Sequence, residues 1–337
     1  MSGRSKQERA AAILDAAPLR GLIRRMPSWR GVLVLNYHRI GRQTDSVWNR
    51  SLWSATAEGL DEQVAYLARH ADILGPDDLA PETLERRGRH VLLTFDDGYR
   101  DNFDLALPVL RSRGVRALFF VVTGFMDHGT TAWWDEIAWM IHTAAAGRTV
   151  PAGAGVLDDV IRADGDVEPV IQALTARYKE LPGHATNAYL DHLGEGLGTG
   201  RCPGGPEHWM TWDMAREMQR AGMGIGGHTM THPLLARLPV DQQRAEVRGC
   251  ATRLRQELGG RMRWFSYPVG SRSSFTPETQ RVVEDEGVEL AFSFYGGLGR
   301  RTTEHHLDVR RANVGPNMTQ SLLQATVGLP GLFARVS

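Results

Sequence analysis

Cysteine is almost missing from this chain: Cys202 and Cys250 are the only two among 337 residues. They stand far apart, which excludes a disulfide framework and a cysteine-based zinc spacing. A reduced compartment is compatible with that. An excess of either charge is missing as well. Lys and Arg total 39, and so do Asp and Glu, so there is no strong field of the kind that recruits nucleic acid. No segment approaches the ~20 apolar residues that span a bilayer. The most apolar stretch, Ala117 to Met126, has the length of a strand. The N-terminus lacks the apolar centre of about 7–15 residues that marks a signal peptide, so the mature chain is expected to start near Met1, in the cytoplasm. Internal repeats and low-complexity tails are absent too.

What is present is glycine, 37 residues, above the roughly 7% usual share. It implies many tight turns between short elements. The first 30 residues read as a basic helical segment, with Arg4, Lys6, Arg9, Arg20, Arg24, Arg25 and Arg30 against Glu8 and Asp15. Leu14, Leu19, Leu22 and Ile23 give it an apolar face. That face suits either weak contact with a membrane surface or closure of the bottom of the fold, and Pro18 weakens both.

Strand and helix patterns alternate along the rest. Strands are expected at Gly31 to Leu35, His90 to Phe95, Ala117 to Thr123, Met223 to Gly227, Trp264 to Tyr267 and Leu290 to Phe294. Helical spacing predicts Ala57 to His70, a helix around Leu105, Val109 and Leu110 that Pro108 starts or kinks, then Ala132 to His142, Thr211 to Gln219 and Gln242 to Leu258. The alternation predicts an α/β fold, a parallel sheet with right-handed crossovers, closed or nearly closed. One main domain is expected over 31–320, interrupted by a helical insertion at about 143–208 and followed by a tail, 321–337.

Two segments carry the chemistry. Thr94-Phe95-Asp96-Asp97-Gly98 ends one apolar run, and His228-Thr229-Met230-Thr231-His232 ends another. Strand ends are where α/β sheets and barrels place reactive groups. Successive residues leaving a strand point apart, so one aspartate can bind an ion while its neighbour faces a water. Gly98 permits a sharp turn there. His228 and His232 are four apart, close enough on one turn to reach one ion. Pro233 disfavours helix at His232, so a short structured loop is expected. One Asp with two His is a set that zinc accepts, with a position left open for water.

With those motifs the chain resembles the polysaccharide deacetylases, the NodB-homology group or carbohydrate esterase family 4. The resemblance implies a distorted (β/α)7-type barrel over roughly 30–315. It implies Asp96 as general base, Asp97, His228 and His232 as ligands of a divalent metal, and an N-acetylated carbohydrate as substrate. The third family motif is similar to Phe265-Ser266-Tyr267-Pro268-Val269-Gly270, which implies that the Val269 backbone N–H polarises an oxyanion, with Tyr267 and Pro268 against the substrate. Leu35-Asn36-Tyr37-His38 is similar to a Tyr-His pair in relatives working on exopolysaccharide, which places His38 in the site. Trp133 and Trp134 are candidates for stacking on sugar rings, or for anchoring the insertion by burial. Two family features are missing. The arginine that tethers the catalytic aspartate is replaced in its motif by Phe265, leaving Arg310 or Arg311 for that role. The late histidine that protonates the leaving amine has no counterpart in its usual setting, although His305 and His306 lie near that end. His38, or Asp96 itself after accepting a proton, is left to act as the acid.

Overall fold

The computed structural model describes residues 28–44, 46–145, 147, 149–150, 166–299 and 306–334. The expected basic helix at 1–30 and His305 fall almost entirely or wholly outside the described residues. Seven parallel strands are the frame: β1 Val32–Tyr37, β2 His90–Phe95, β3 Leu118–Val121, β4 Gly224–Gly227, β5 Trp264–Ser266, β6 Leu290–Phe292 and β7 Arg311–Asn313. They lie side by side in the order β6, β5, β4, β3, β2, β1, β7. Val309, just before β7, closes the ring: its N–H donates to Ala291 O at 2.8 Å, and its carbonyl accepts from Ser293 N–H at 3.0 Å. The result is the nearly closed α/β barrel that the alternation predicts.

The strands are buried on both faces, which is why they read as near-continuous apolar runs. Their period of two still sorts the residues. Leu33, Leu35, Tyr37, Val91, Leu93, Phe95, Phe119 and Val121 face the outer helices and form the main core. Val32, Val34, Leu92, Leu118, Phe120, Trp264, Leu290 and Phe292 fill the barrel interior. Following the inner parity upward, this apolar plug gives way to Asn36, Thr94, Asp96, His228, Ser266 and Arg311. The barrel is thus plugged below and polar at the C-terminal edge of its strands.

Helix α1, Ala57–His70, has the predicted bounds, and its Thr56 cap accepts from Gly59 N–H at 3.0 Å. Such a cap stabilises a helix by ~1 kcal/mol. Before α2, Leu107–Ser112, the chain makes a widened π turn over Asn102–Ala106. Pro108 is the reason: it lacks an N–H, and its ring crowds the carbonyl four residues back. Next come α3 Thr123–His128, α4 Trp133–Thr143, α5 Glu168–Glu180 and α6 Thr186–Leu197. Helices α4 to α6 share a second core built on Trp133, Trp134, Ile141, Leu174, Tyr178 and Leu193. That core also takes in Tyr99, Val122 and Phe125 from the barrel side, well ahead of the expected insertion boundary.

The chain returns to the barrel through α7 Trp212–Arg220, capped by Thr211, then α8 Val240–Leu258 and α9 Pro277–Asp285. The stretch expected as a tail instead starts with α10, Gln320–Gly328, whose Leu323 and Val327 are buried in the main core. No helix among the described residues is long and apolar enough to cross a membrane.

Candidate active site

At the open edge of the barrel, Asp97, His228 and His232 converge, all three buried. His228 Nε2 and His232 Nε2 are 3.2 Å apart, and Asp97 Oδ1 lies 3.5 Å from the first and 3.6 Å from the second. Donors bonded at about 2.0–2.1 Å to a tetrahedral ion stand roughly 3.3 Å from one another. The triangle therefore has the size a divalent metal requires. His228 Nδ1 is bonded to the Ser266 carbonyl at 2.7 Å, which aims Nε2 at the metal position, the usual arrangement for a ligating imidazole. Burial, then His228, push the His232 imidazole down to about 3, so it is neutral and its Nε2 lone pair is available. Burial pushes the Asp97 carboxyl up, but His228, His38 and His232 outweigh it and hold it below the usual range. Two imidazoles and one carboxylate are a donor set that a divalent metal accepts.

Asp96 sits beside this triangle, with Oδ2 3.9 Å from His228 Nε2. Arg311 grips it in a fork: Nη1 donates to Oδ1 at 2.7 Å and Nη2 to Oδ2 at 2.8 Å. Asn36 Nδ2 adds a bond at 3.2 Å and Ser266 Oγ one at 3.4 Å. Burial pushes this carboxyl up, but Arg311, His228 and His38 prevail and leave it well below the ordinary carboxylate range. The choice between Arg310 and Arg311 is thereby made. Arg311 is fully buried inside the barrel, while Arg310, its neighbour of opposite parity, is exposed with its guanidinium 5.2 Å from the Tyr295 ring centre.

Backbone strain is concentrated here. The only non-glycine residues with positive φ among those described are Asp97 at 78°, Thr229 at 68°, His232 at 58° and Val269 at 63°. Such positions are held only where the surroundings over-determine them, and they gather at functional sites. Asp97 gains its direction from this turn: alternation alone would send it away from Asp96. His38 is half-buried just past β1, with its ring edge-on to Phe294 at 5.8 Å. Burial lowers its affinity for a proton, and Asp97 and Asp96 offset this only in part.

The other side chains expected near the substrate are largely buried. Tyr267 is 1% exposed; its ring stacks on Phe275 at 4.2 Å and its hydroxyl donates to Leu307 O at 2.9 Å. It has the outward parity and belongs to the main core. Pro268 is buried beside it. Trp133 and Trp134 are 6% and 5% exposed and serve as anchors, not as open stacking platforms. Trp133 stacks on Tyr178 at 4.1 Å. Trp134 packs edge-on against His232 at 4.4 Å, and its Nε1 donates to Tyr99 Oη at 2.8 Å. Tyr99 in turn donates to Asp135 at 2.8 Å, and Arg39 lies 3.6 Å from that carboxylate. A cavity of about 590 Å³ does border Trp133, Tyr178, Thr231 and Leu238, but on the far side of the histidine loop, away from Asp96 and Asp97. Ser266 lies within the aromatic motif and Asn36 beside His38, and the inner parity they share with Asp96 is the sequence signal that marks them.

The sequence profile described as Polysaccharide deacetylase matches residues 83–151 and 170–291, more than half of the chain. The chain belongs to the polysaccharide deacetylase family. YxkH of Bacillus subtilis (strain 168), itself assigned to the polysaccharide deacetylases, is 22% identical over 237 residues. That match covers 70% of this chain but only 56% of the relative, so the chain spans little more than half of that protein's length. Among solved structures, the Streptococcus pyogenes deacetylase PplD in complex with acetate aligns with a TM-score of 0.58 at 18% identity, covering 89% of this chain and 98% of that one. IcaB from Ammonifex degensii aligns with a TM-score of 0.55 at 20% identity, covering 89% and 97%. These two likenesses establish that the barrel is the one deacetylases of this family use.

Proposed function

We propose that this polysaccharide deacetylase family member hydrolyses the N-acetyl amide of an acetamido sugar, releasing acetate and a free amine. The observation that carries the reading is the Asp97–His228–His232 triangle with an arginine-tethered carboxylate, Asp96, at its edge. The metal of best fit is Zn²⁺, which favours nitrogen and oxygen donors and three protein ligands with one position open. Held there, it would polarise the amide carbonyl and acidify the attacking water.

The side chains have separate tasks. Asp96 takes the proton of the attacking water. Arg311 keeps that carboxylate ionised and fixes its direction, and the low proton affinity it imposes lets Asp96 give the proton up again. Val269 N–H, turned by the positive φ of its residue, donates to the oxygen on which charge develops, a contact often worth a few kcal/mol of barrier. His38 at the rim is the second group able to relay a proton to the departing nitrogen, after accepting it from Asp96 or from solvent. A second reading, a carbohydrate-binding protein whose catalysis has decayed, draws on the missing motif arginine and the missing late histidine, and Arg311 at Asp96 removes the first of these supports.

PplD was solved with acetate, the product expected here. The substrate class is an N-acetylated carbohydrate, either polymer or a lipid- or nucleotide-linked precursor. The test is acetate release by the Zn²⁺-loaded protein from a panel of N-acetylated oligosaccharides and sugar nucleotides, with formate release from N-formyl analogues alongside. Acetate release that disappears in Asp96→Asn, with bound metal retained, supports the proposal. Formate without acetate points to a deformylase, and full activity in Asp96→Asn refutes the assignment of the base.

A further inference from the structure

The two histidines of the site are not held alike. His228 is oriented through its ring by the Ser266 carbonyl, whereas His232 Nδ1 is buried with no hydrogen-bond partner among the described residues. Its direction therefore comes from ring packing, chiefly the edge-on Trp134 at 4.4 Å, and from the backbone that carries it. That backbone is strained, with positive φ at Thr229 and at His232 itself, and something must hold it.

Two grips are visible. From α3, the N–H groups of Thr123 and Gly124 donate to the carbonyls of Thr229 at 3.2 Å and Met230 at 2.9 Å. From α8, Glu246 reaches the opposite edge of the loop. Its Oε2 accepts from the N–H groups of Met230 and Thr231, both at 2.9 Å, and its Oε1 accepts from Thr231 Oγ1 at 2.6 Å. One carboxylate thus closes three bonds across the turn between the two ligands. Bonds to an ionised acceptor are the strong ones.

We propose that Glu246 is the positioning residue that sets His232 for metal binding. The inference rests on the metal reading above, but the clamp itself exists in the metal-free chain. Met230 and Thr231 are exposed, so water can replace Glu246 at their N–H groups. Loss of the carboxylate should therefore relax the loop without unfolding the barrel. Supporting partners of metal ligands typically cost about 10–100-fold in metal affinity when removed.

The full chain is used for the test. Zn²⁺ affinity is measured by chelator competition, and melting and amide exchange at Met230 and Thr231 are measured on the metal-free protein. Glu246→Ala should bind Zn²⁺ about 10–100-fold more weakly, exchange these amides faster, and melt close to the parent. Glu246→Gln, which keeps an acceptor oxygen, should fall between. Unchanged exchange and unchanged affinity in Glu246→Ala overturn the proposal. If Glu246→Ala melts far below the parent, Thr231→Val decides: it removes only the Oε1 bond, and weaker binding with unchanged melting supports the clamp, whereas unchanged binding overturns it. A parent chain that takes up no Zn²⁺ defeats the hydrolase reading instead, and the exchange rates still report on the clamp.

Discussion

Arg311→Met offers the sharpest test of how the site is held. The substitution keeps most of the apolar volume and removes the guanidinium that forks onto Asp96. Two unit charges about 4 Å apart at an effective dielectric near 20 attract by about 4 kcal/mol. Asn36 at 3.2 Å and Ser266 at 3.4 Å remain, but neither carries a charge. Arg311 also serves Ser293 O at 3.0 Å and Asn36 Oδ1 at 2.7 Å, and both lose that donor. Breaking one side of a buried pair of this kind typically costs about 3–5 kcal/mol. Urea unfolding followed by tryptophan fluorescence should show a loss of that size for Arg311→Met. Arg311→Met with Asp96→Asn should recover part of it, because the second change removes the stranded charge. In the single variant the carboxyl of Asp96 should also rise, since burial then acts with less opposition, and the acid limb of the pH–rate profile should move upward. A single-variant cost below about 1 kcal/mol, the value of an exposed pair, together with an additive double variant, would refute the claim that Arg311 is what holds Asp96 ionised.

Gly124→Ala should weaken metal binding and cost about 1–3 kcal/mol, because the added methyl would lie 2.5 Å from the Met230 carbonyl oxygen; equilibrium unfolding and chelator competition measure both. Asp96 is held below its unfolded value of about 3.9, so its contribution to stability is present above that pH and is lost as the pH falls below it. The stability gap between the parent and Asp96→Asn should accordingly shrink in urea titrations carried from neutral pH to about pH 3. Zn²⁺ at 100 times its dissociation constant should stabilise the parent by about 2.7 kcal/mol, and Asp97→Asn should lose most of that increment in a melting assay. Tyr267→Phe should cost about 1 kcal/mol through the lost bond to Leu307, with kcat and KM for acetate release unchanged; a large fall in kcat would place Tyr267 in the substrate site.

Elements with strong local signals were legible without coordinates. Ala57 to His70 carries apolar residues at helical spacing, and His90 to Phe95 is built on the apolar run Val91-Leu92-Leu93; both appear with the bounds the pattern predicts. The strand Arg311–Asn313 carried no such signal, since three residues reading Arg-Ala-Asn are neither apolar nor periodic. It becomes a strand only because β1 offers it an edge, and it is the strand that brings the tethering arginine 215 positions along the chain to Asp96. Tyr267 shows the same limit of local pattern. Its motif looks like a substrate wall, yet the pleat sends Ser266 inward and Tyr267 outward.

The amino-acid order by itself determined the donors: an Asp-Asp pair and two histidines four apart, each following an apolar run that had to become a strand. It also determined the alternation that makes the sheet parallel, because apolar runs covered on both faces need helices between them. Folding in three dimensions decided which neighbour of each pair faces the barrel, Arg311 over Arg310 and Ser266 over Tyr267. That choice depends on the register of strands far apart in sequence, which no local pattern encodes. It also decided that four non-glycine residues would take left-handed turns around the site, since only contacts from other elements, Glu246 among them, hold a side-chain-bearing residue in that conformation.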